Sequence, residues 1–415
     1  MKHITNFFKS NPVWYKVILF SSTLFFLQIA DAIISYWAPN EIERNFASPA
    51  AMGFIIGFQS VVGFIADLFF PHIFKKTKSR ILIFWGTLVI LTTSLFLVGA
   101  SAKPFVAIFL ATMFFWGIYY ELITFARFQF VGSVVPANMR TGSWGIMGTF
   151  TNLAYFLGPL IAVEILYVKS NLFVEGVIGV FLFIAFLLVI FSKKAHDAPA
   201  QISFKEVNPL KELTHWFTLY KCVWPAIVLS LLMGFIDSTF WTIGAIWTEK
   251  LSTQGGSWGM FFLPMYQVPA LFVGFLLAKW GIHKGKKILT EKLLILAGVF
   301  LIGLAFAKTV GLQLGMVFFA SLSISVAYPL LDGVYSDIVS RMGKEKNHLI
   351  GLTSSTINIS YIVWPPIAGL ICSKIGEMGT FGILGALVVA VSFVLLFITP
   401  KKLRLPQGEI QTWKD

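Results

Sequence analysis

The stretch Ile29-Ala30-Asp31-Ala32 places a carboxylate inside a long apolar segment, and the chain repeats this pattern as Ile236-Asp237-Ser238. Glu43-Arg44 follows the first aspartate by twelve residues, and Glu249-Lys250 follows the second at the same distance. The two aspartates are 206 residues apart. This spacing indicates a duplicated chain in which each half carries one acid within an apolar segment.

The same offset recurs in a later apolar segment of each half. Six residues return 206 positions later, namely Gly145, Asn152, Tyr155, Pro159, Ile161 and Ala162 as Gly351, Asn358, Tyr361, Pro365, Ile367 and Ala368. Ionisable groups in the hydrocarbon region are costly and usually mark a pathway. Parallel repeats are one way in which transporters build a central site. The duplication therefore indicates a transporter.

The composition predicts an all-α polytopic membrane protein. The chain is 57% hydrophobic and 12% charged, whereas soluble domains carry about 25% charged residues. A bilayer-spanning helix needs roughly 20 apolar residues. Twelve segments meet this requirement approximately, at 17–38, 51–70, 81–100, 104–126, 142–163, 174–192, 223–246, 258–280, 289–307, 311–331, 349–372 and 380–399.

The basic residues predict the orientation. With the N-terminus inside, 25 of the 32 Lys and Arg fall in cytoplasmic segments and six fall in outer loops. This bias predicts a plasma-membrane protein with both termini in the cytoplasm and a first span that is retained. The net charge of +13 is spread over many loops rather than clustered on one face, so we expect no nucleic-acid partner.

One polar stretch divides the chain into predicted domains. Residues 1–192 form the first group of six spans, and residues 223–415 form the second group with a short cytoplasmic tail. The cytoplasmic linker 193–222 contains either a short helix in the membrane interface or an irregular segment. No hydrophilic segment is long enough for a soluble catalytic domain, so we expect no enzyme activity.

Twelve spans, a cytoplasmic loop after the sixth and a parallel repeat resemble the major facilitator superfamily over nearly the whole chain. The resemblance implies two pseudo-symmetric six-helix bundles, alternating access to a central cavity and no cofactor. Spans one and seven line the cavity in this family. The antiporter signature of span five is only partly matched, by Gly145 and Gly158-Pro159, and Met113 stands where span four of the family has an arginine. The signature therefore favours export weakly.

The family's loop signature after span two suggests gating residues. Gly63 and Asp67 keep its Gly-x-x-x-Asp part, and in the second half Lys279 and Gly281 keep its basic-x-Gly part. By resemblance, these residues help to hold the outward-open state. Asp337 resembles the family's usual end of span ten, where a structural role is the favoured interpretation.

Five residues are the first candidates for chemistry within the spans. Asp31 and Asp237 are interpreted as sites for a proton or a cationic substrate, with structural acids at helix contacts as the alternative. Glu121 is either functional or part of a structural ion pair. Trp241 lies one turn beyond Asp237 and either walls a cavity for flat or cationic ligands or packs against a helix. For Arg127 we favour snorkelling to the interface over pairing with an acid.

Two Asn-x-x-Tyr pairs complete the candidates. Asn152 with Tyr155 and Asn358 with Tyr361 are three residues apart, so each pair shares a helix face. They either line the cavity or join neighbouring helices. The six His and the two Cys, Cys222 and Cys372, show no metal-ligand spacing, and no phosphate-binding glycine loop is present in the sequence.

These patterns leave three functional hypotheses. The first is proton-coupled export of lipophilic or cationic compounds. The second is proton-coupled uptake, or facilitated diffusion, of a small polar metabolite such as a sugar or an organic acid. The third is a receptor or scaffold that does not transport. We expect a monomer in the lipid bilayer whose partners are a small-molecule substrate and protons.

Impermeant labelling of single cysteines tests the predicted orientation. In a background with Cys222→Ser and Cys372→Ser, a cysteine at Ser203 should be labelled only from the cytoplasmic side. A cysteine at Ser48 should be labelled only from outside, and this variant is the matched control. Labelling of the Ser203 position from outside would show that the orientation is inverted.

Overall fold

The computed structural model describes residues 12–74, 77–136, 139–168, 170–191, 209–254, 258–280, 285–342 and 346–400. These residues form helices joined by short connections. The α-helices are α1 (Pro12–Phe46), α2 (Pro49–Ile73), α3 (Ser79–Ala102), α4 (Val106–Val134), α5 (Arg140–Val168), α6 (Asn171–Phe191), α7 (Pro209–Thr239), α8 (Ala245–Gln254), α9 (Phe262–Trp280), α10 (Lys286–Phe306), α11 (Val310–Met342) and α12 (Lys346–Ile398).

Ten of these helical stretches are long and apolar enough to cross a membrane. The last of them, Ser355–Ile398, contains most of both final predicted spans, which meet near Gly376. Gly376 has φ 76° and ψ 177°, a non-helical conformation that breaks the continuous helix and that glycine adopts without a Cβ penalty. The predicted span 258–280 corresponds to a 3₁₀ turn, Gly259–Phe261, followed by α9. Each predicted span thus overlaps a helix of the structure.

The chain divides into two compact units. The first comprises residues 1–47 and 61–205, and the second comprises residues 48–60 and 206–415. The first half of α2 therefore groups with the second unit, whereas the sequence predicted all of α2 in the first. In the second unit a Cβ on Gly53 would overlap the Pro365 carbonyl oxygen, so the start of α2 packs directly on α12.

The second half of the predicted linker is helical. Residues 193–208 lie outside the described part of the chain, but residues from Pro209 onward belong to α7, which continues into the seventh predicted span. We therefore find no separate interfacial helix among residues 209–222. Beyond α7 the chain forms a π-helical turn, Phe240–Gly244, and then α8.

Close helix approach positions both acidic segments. In the first unit α1 packs along α5, and a Cβ on Gly158 would overlap the Cβ of Ala32. In the second unit α7 packs along α12, and a Cβ on Gly234 would lie 2.5 Å from the Ser360 hydroxyl oxygen. Small residues at these crossings bring the helices that carry Asp31 and Asp237 next to their partners.

Gly158→Leu should destabilise the first unit, because its side chain would overlap Ala32 and force α1 and α5 apart. Overpacking of this kind costs about 1–3 kcal/mol. Thermal unfolding in detergent, followed by tryptophan fluorescence, measures the change. Gly145→Leu is the matched control on the same helix, because that position is exposed and a Cβ there meets nothing within 4 Å. Equal melting temperatures for both variants would contradict the assigned contact.

Candidate functional site

The first cluster surrounds Asp31 in the middle of α1. This side chain is 0% exposed. The indole Nε1 of Trp116, on α4, donates a hydrogen bond of 2.7 Å to Asp31 Oδ1. The hydroxyl of Tyr155, on α5, donates to Asp31 Oδ2. One carboxylate thus joins three helices, and each of its oxygens accepts a hydrogen bond.

The second cluster surrounds Asp237 on α7, which is partly buried. The hydroxyl of Tyr266, on α9, donates a hydrogen bond of 3.0 Å to Asp237 Oδ1. The hydroxyl of Tyr361, on α12, donates one of 2.5 Å to Asp237 Oδ2. Trp241, one helical turn further along, also interacts with this carboxylate. The second unit therefore has the same design, with a carboxylate held between three helices.

The aspartate–tyrosine bond is the shared element of the two clusters. Tyr155 follows Asp31 by 124 residues, and Tyr361 follows Asp237 by the same number. The structure thus brings each sequence-predicted acid together with the tyrosine of the Asn-x-x-Tyr pair in its own half. Their roles in transport remain predictions.

The second donor to each carboxylate was missed by the sequence analysis. Trp116 lies on α4 and Tyr266 lies on α9. These two helices do not correspond to each other in the repeat. Leu322 stands 206 residues after Trp116, and Ser60 stands 206 residues before Tyr266. A search for repeated residues therefore cannot find these donors. Their only signal is an aromatic residue with an N–H or O–H within an apolar span.

Arg127 contacts a neighbouring helix, and its favoured interpretation as a snorkelling residue remains a prediction. Its guanidinium Nη2 donates a hydrogen bond of 3.4 Å to the Thr151 hydroxyl of α5. Thr151 and Tyr155 are one turn apart on the same helix, so Arg127 lies beside the first cluster and interacts electrostatically with Asp31. Direct pairing of Arg127 with this acid does not occur.

The remaining candidates within the spans are partly or fully buried. Asn152 is partly buried three residues before Tyr155, and Asn358 is partly buried three residues before Tyr361. Glu121 is 8% exposed on α4. Among the residues that the structure describes, no group of three or more His, Cys, Asp or Glu is placed to hold a metal ion.

The predicted gating residues are only partly described. Gly63 is buried and Asp67 is partly buried, and both lie in the second half of α2. Asp337 forms an ion pair of 2.8 Å with Lys286, and this pair joins α11 to α10. Lys279 lies in the last turn of α9 without a described side chain, and Gly281 lies outside the described residues. The gating role of these positions remains a prediction.

The two clusters have a chemistry suited to holding protons. A buried carboxylate in an apolar bundle is stabilised by hydrogen bonds that favour its charged form and is destabilised by lost hydration. Tyrosine can donate or accept, whereas the indole N–H can only donate. Each cluster can therefore accommodate both the charged and the neutral form of its aspartate when the tyrosine hydroxyl group rotates.

Comparison with known proteins agrees with the architecture. Residues 20–344 match the family model described as Major Facilitator Superfamily. The crystal structure of the human organic anion transporter MFSD10 (TETRAN) aligns with a TM-score of 0.64 at 15% identity, covering 92% of this chain and 99% of that chain. The crystal structure of a POT family transporter in complex with thioalcohol conjugated peptide aligns with a TM-score of 0.70 at 13% identity, covering 93% of this chain and 96% of that chain.

A curated relative is more similar in sequence but matches a shorter region. The "Multi-drug resistance efflux pump PmrA homolog" of Lactococcus lactis subsp. lactis (strain IL1403) is 23% identical over 220 residues, or 51% of this chain. The match spans about half of that relative's length, at 50%. The family model covers more than three quarters of the chain and the fold agrees over nearly all of it. The chain therefore belongs to the Major Facilitator Superfamily, a family of multi-pass membrane transporters rather than enzymes.

Proposed function

We propose that this chain is a proton-coupled secondary transporter in which Asp31 and Asp237 bind and release the protons. The observation that carries this proposal is the repeated cluster, an acid within a span whose two oxygens accept bonds from two other helices. Acids of this kind are rare in membrane spans and usually serve ion or proton pathways.

Hydrogen-bond chemistry assigns the proton to one oxygen in the first cluster. Trp116 can only donate, so a proton on Oδ1 of Asp31 would find no acceptor in this partner. The proton of the neutral acid therefore belongs on Oδ2, where the Tyr155 hydroxyl can turn from donor to acceptor. In the second cluster each oxygen of Asp237 has a tyrosine partner that can turn in the same way. Binding of a proton thus reverses a hydrogen bond between two helices, which is a means of coupling charge to helix packing.

The clusters differ in their access to a substrate. Asp31 is fully buried with both oxygens engaged, which favours a proton over direct contact with a cationic substrate. Asp237 is partly exposed and has Trp241 beside it. An acid next to an indole ring is suited to an organic cation, because the carboxylate supplies charge and the ring supplies a cation–π face.

The substrate class that we propose first is lipophilic or cationic compounds, which the transporter exports. The partly buried acid and indole of the second cluster support this class, and the similarity to a multidrug efflux pump homolog supports export. The second candidate is proton-coupled uptake of a small polar metabolite such as an organic acid. Arg127, a cation beside the first cluster, favours it. In either case we place the protein in the plasma membrane as a monomer with both termini in the cytoplasm.

Asp31→Asn and Asp237→Asn should each leave a folded protein that no longer couples solute movement to protons, because the amide cannot be protonated near neutral pH. A thermal-shift screen of drugs, sugars, amino acids and organic anions first identifies a binder, since binding to the native state raises the melting temperature. The binder is then added to proteoliposomes that contain a pH-sensitive dye. The wild-type protein should give a solute-driven pH change that both variants lack.

Glu377→Gln is the matched control for this measurement. Glu377 forms an ion pair with Lys250, well separated in sequence from the second cluster. Its loss removes one carboxylate from the same unit without changing the second cluster, so coupling should persist. Wild-type pH changes in both asparagine variants would exclude the two aspartates as proton sites.

A further inference from the structure

Arg127 is a charged side chain that the proposed proton chemistry does not use. It lies on α4 and is partly buried. Within the described part of the chain, its one hydrogen bond runs from Nη2 to Thr151 and is long, at 3.4 Å, and its Nε is buried without a hydrogen-bond partner. The guanidinium has five donors, so most of its hydrogen-bonding capacity is unused by the described residues.

The charge of Arg127 is also not neutralised by direct contact. Among the described residues, no carboxylate oxygen forms an ion pair with it. Asp31 interacts with it electrostatically, but the two oxygens of that acid are engaged by Trp116 and Tyr155. A guanidinium within a membrane span is costly unless a counter-charge or polar partners accompany it.

The second unit supplies an internal comparison. Gly333 stands 206 residues after Arg127 and has no side-chain charge. The nearby cation is Lys286, whose Nζ lies 3.4 Å from the Gly333 carbonyl oxygen and 2.8 Å from Asp337. That cation therefore has a carboxylate partner, whereas Arg127 has none among the described residues. Asp31 interacts with Arg127 only through space, so a bound anion would supply the direct carboxylate contact that Lys286 already has.

Aromatic rings lie close to the same cluster. The rings of Trp116 and Tyr120 have centroids 6.0 Å apart, and those of Tyr119 and Tyr120 have centroids 5.5 Å apart. Asp31 interacts with Tyr119 and Tyr120 as well as with Arg127. Trp116 and Tyr119 are buried and Tyr120 is partly buried, so of these three rings Tyr120 is the one that can face a planar solute with an acidic group.

We propose that Arg127 binds the carboxylate of the transported solute, with the ring of Tyr120 beside the solute's flat apolar part. The planar fork of the guanidinium matches the two oxygens of a carboxylate and can form two parallel bonds with it. This proposal rests on the proposed transport function. Of the two substrate classes given there, it favours the second, an organic acid. It also predicts that the negative charge of Asp31 opposes anion binding, so that a neutral Asp31 strengthens it.

Isothermal titration calorimetry of the purified protein with sodium benzoate tests the proposal, with benzamide as the neutral compound of the same shape. The wild-type protein should bind benzoate more tightly than benzamide. Arg127→Gln should weaken benzoate binding by about tenfold or more, which is the loss expected for charge-assisted hydrogen bonds, and should leave benzamide binding unchanged. Arg127→Lys should fall between the two, because it keeps the charge but loses the fork.

Two further variants separate a binding role from a structural one. Lys286→Gln removes the paired cation of the second unit and should retain wild-type benzoate affinity. Asp31→Asn should bind benzoate more tightly than the wild type. The melting temperature of each variant without benzoate shows whether it is folded. An Arg127→Gln protein that is folded and binds benzoate as tightly as the wild type overturns the proposal, and so does a wild-type protein that binds benzoate no better than benzamide.

The binding measurement is independent of proton transport. If benzoate binding depends on Arg127 but no solute moves protons in proteoliposomes, the anion site stands and the proton-coupled function fails. If a cationic solute drives a pH change and the benzoate affinity is the same with and without Arg127, the transport function stands and the anion site fails.

Discussion

A carboxylate placed inside a membrane span needs hydrogen-bond donors, and its own helix has few to offer. Backbone N–H groups of a helix interior are already bonded to the preceding turn. The donors must therefore be side chains of other helices, and those helices must come close. Asp31 and Asp237 meet this requirement by joining three helices each. Glycine at the crossings, as at Gly158 and Gly234, permits the close approach. Helix packing in both units is thus organised around a polar contact.

Duplication gave the two units a common design that has since diverged. The aspartate–tyrosine bond is retained in both, at the same separation in the chain. Around it the units differ in charge, because the first places Arg127 beside its acid and the second places a partly exposed acid beside Trp241. Two halves that share one hydrogen-bonded acid can therefore offer different surfaces to a solute.

Much of the fold could be predicted from apolar segment length, because a span has to match the thickness of the bilayer. The repeat offset also identified the acids and tyrosines that meet in each unit. The second donors, Trp116 and Tyr266, could not be predicted, since they occupy unrelated places in the repeat and only helix packing brings them to the acid. Continuity of α7 through residues 209–222 was missed for another reason, because a polar, charged sequence can form a helix as readily as a linker.

The π-helical turn Phe240–Gly244 has a geometric consequence for the duplication. A π-turn holds one extra residue, and each residue turns an α-helix by about 100°. Residues beyond the turn should therefore face a different direction from their sequence counterparts in α1, which has no π-helical turn among its described residues. Arg44 bonds to Glu41 on its own helix, whereas its counterpart Lys250 reaches Glu377 on α12. The spacing from the aspartate to this basic residue is the same in both halves, but the first half forms an ion pair within one helix and the second forms one between two helices, so the corresponding ends of the two halves are held differently.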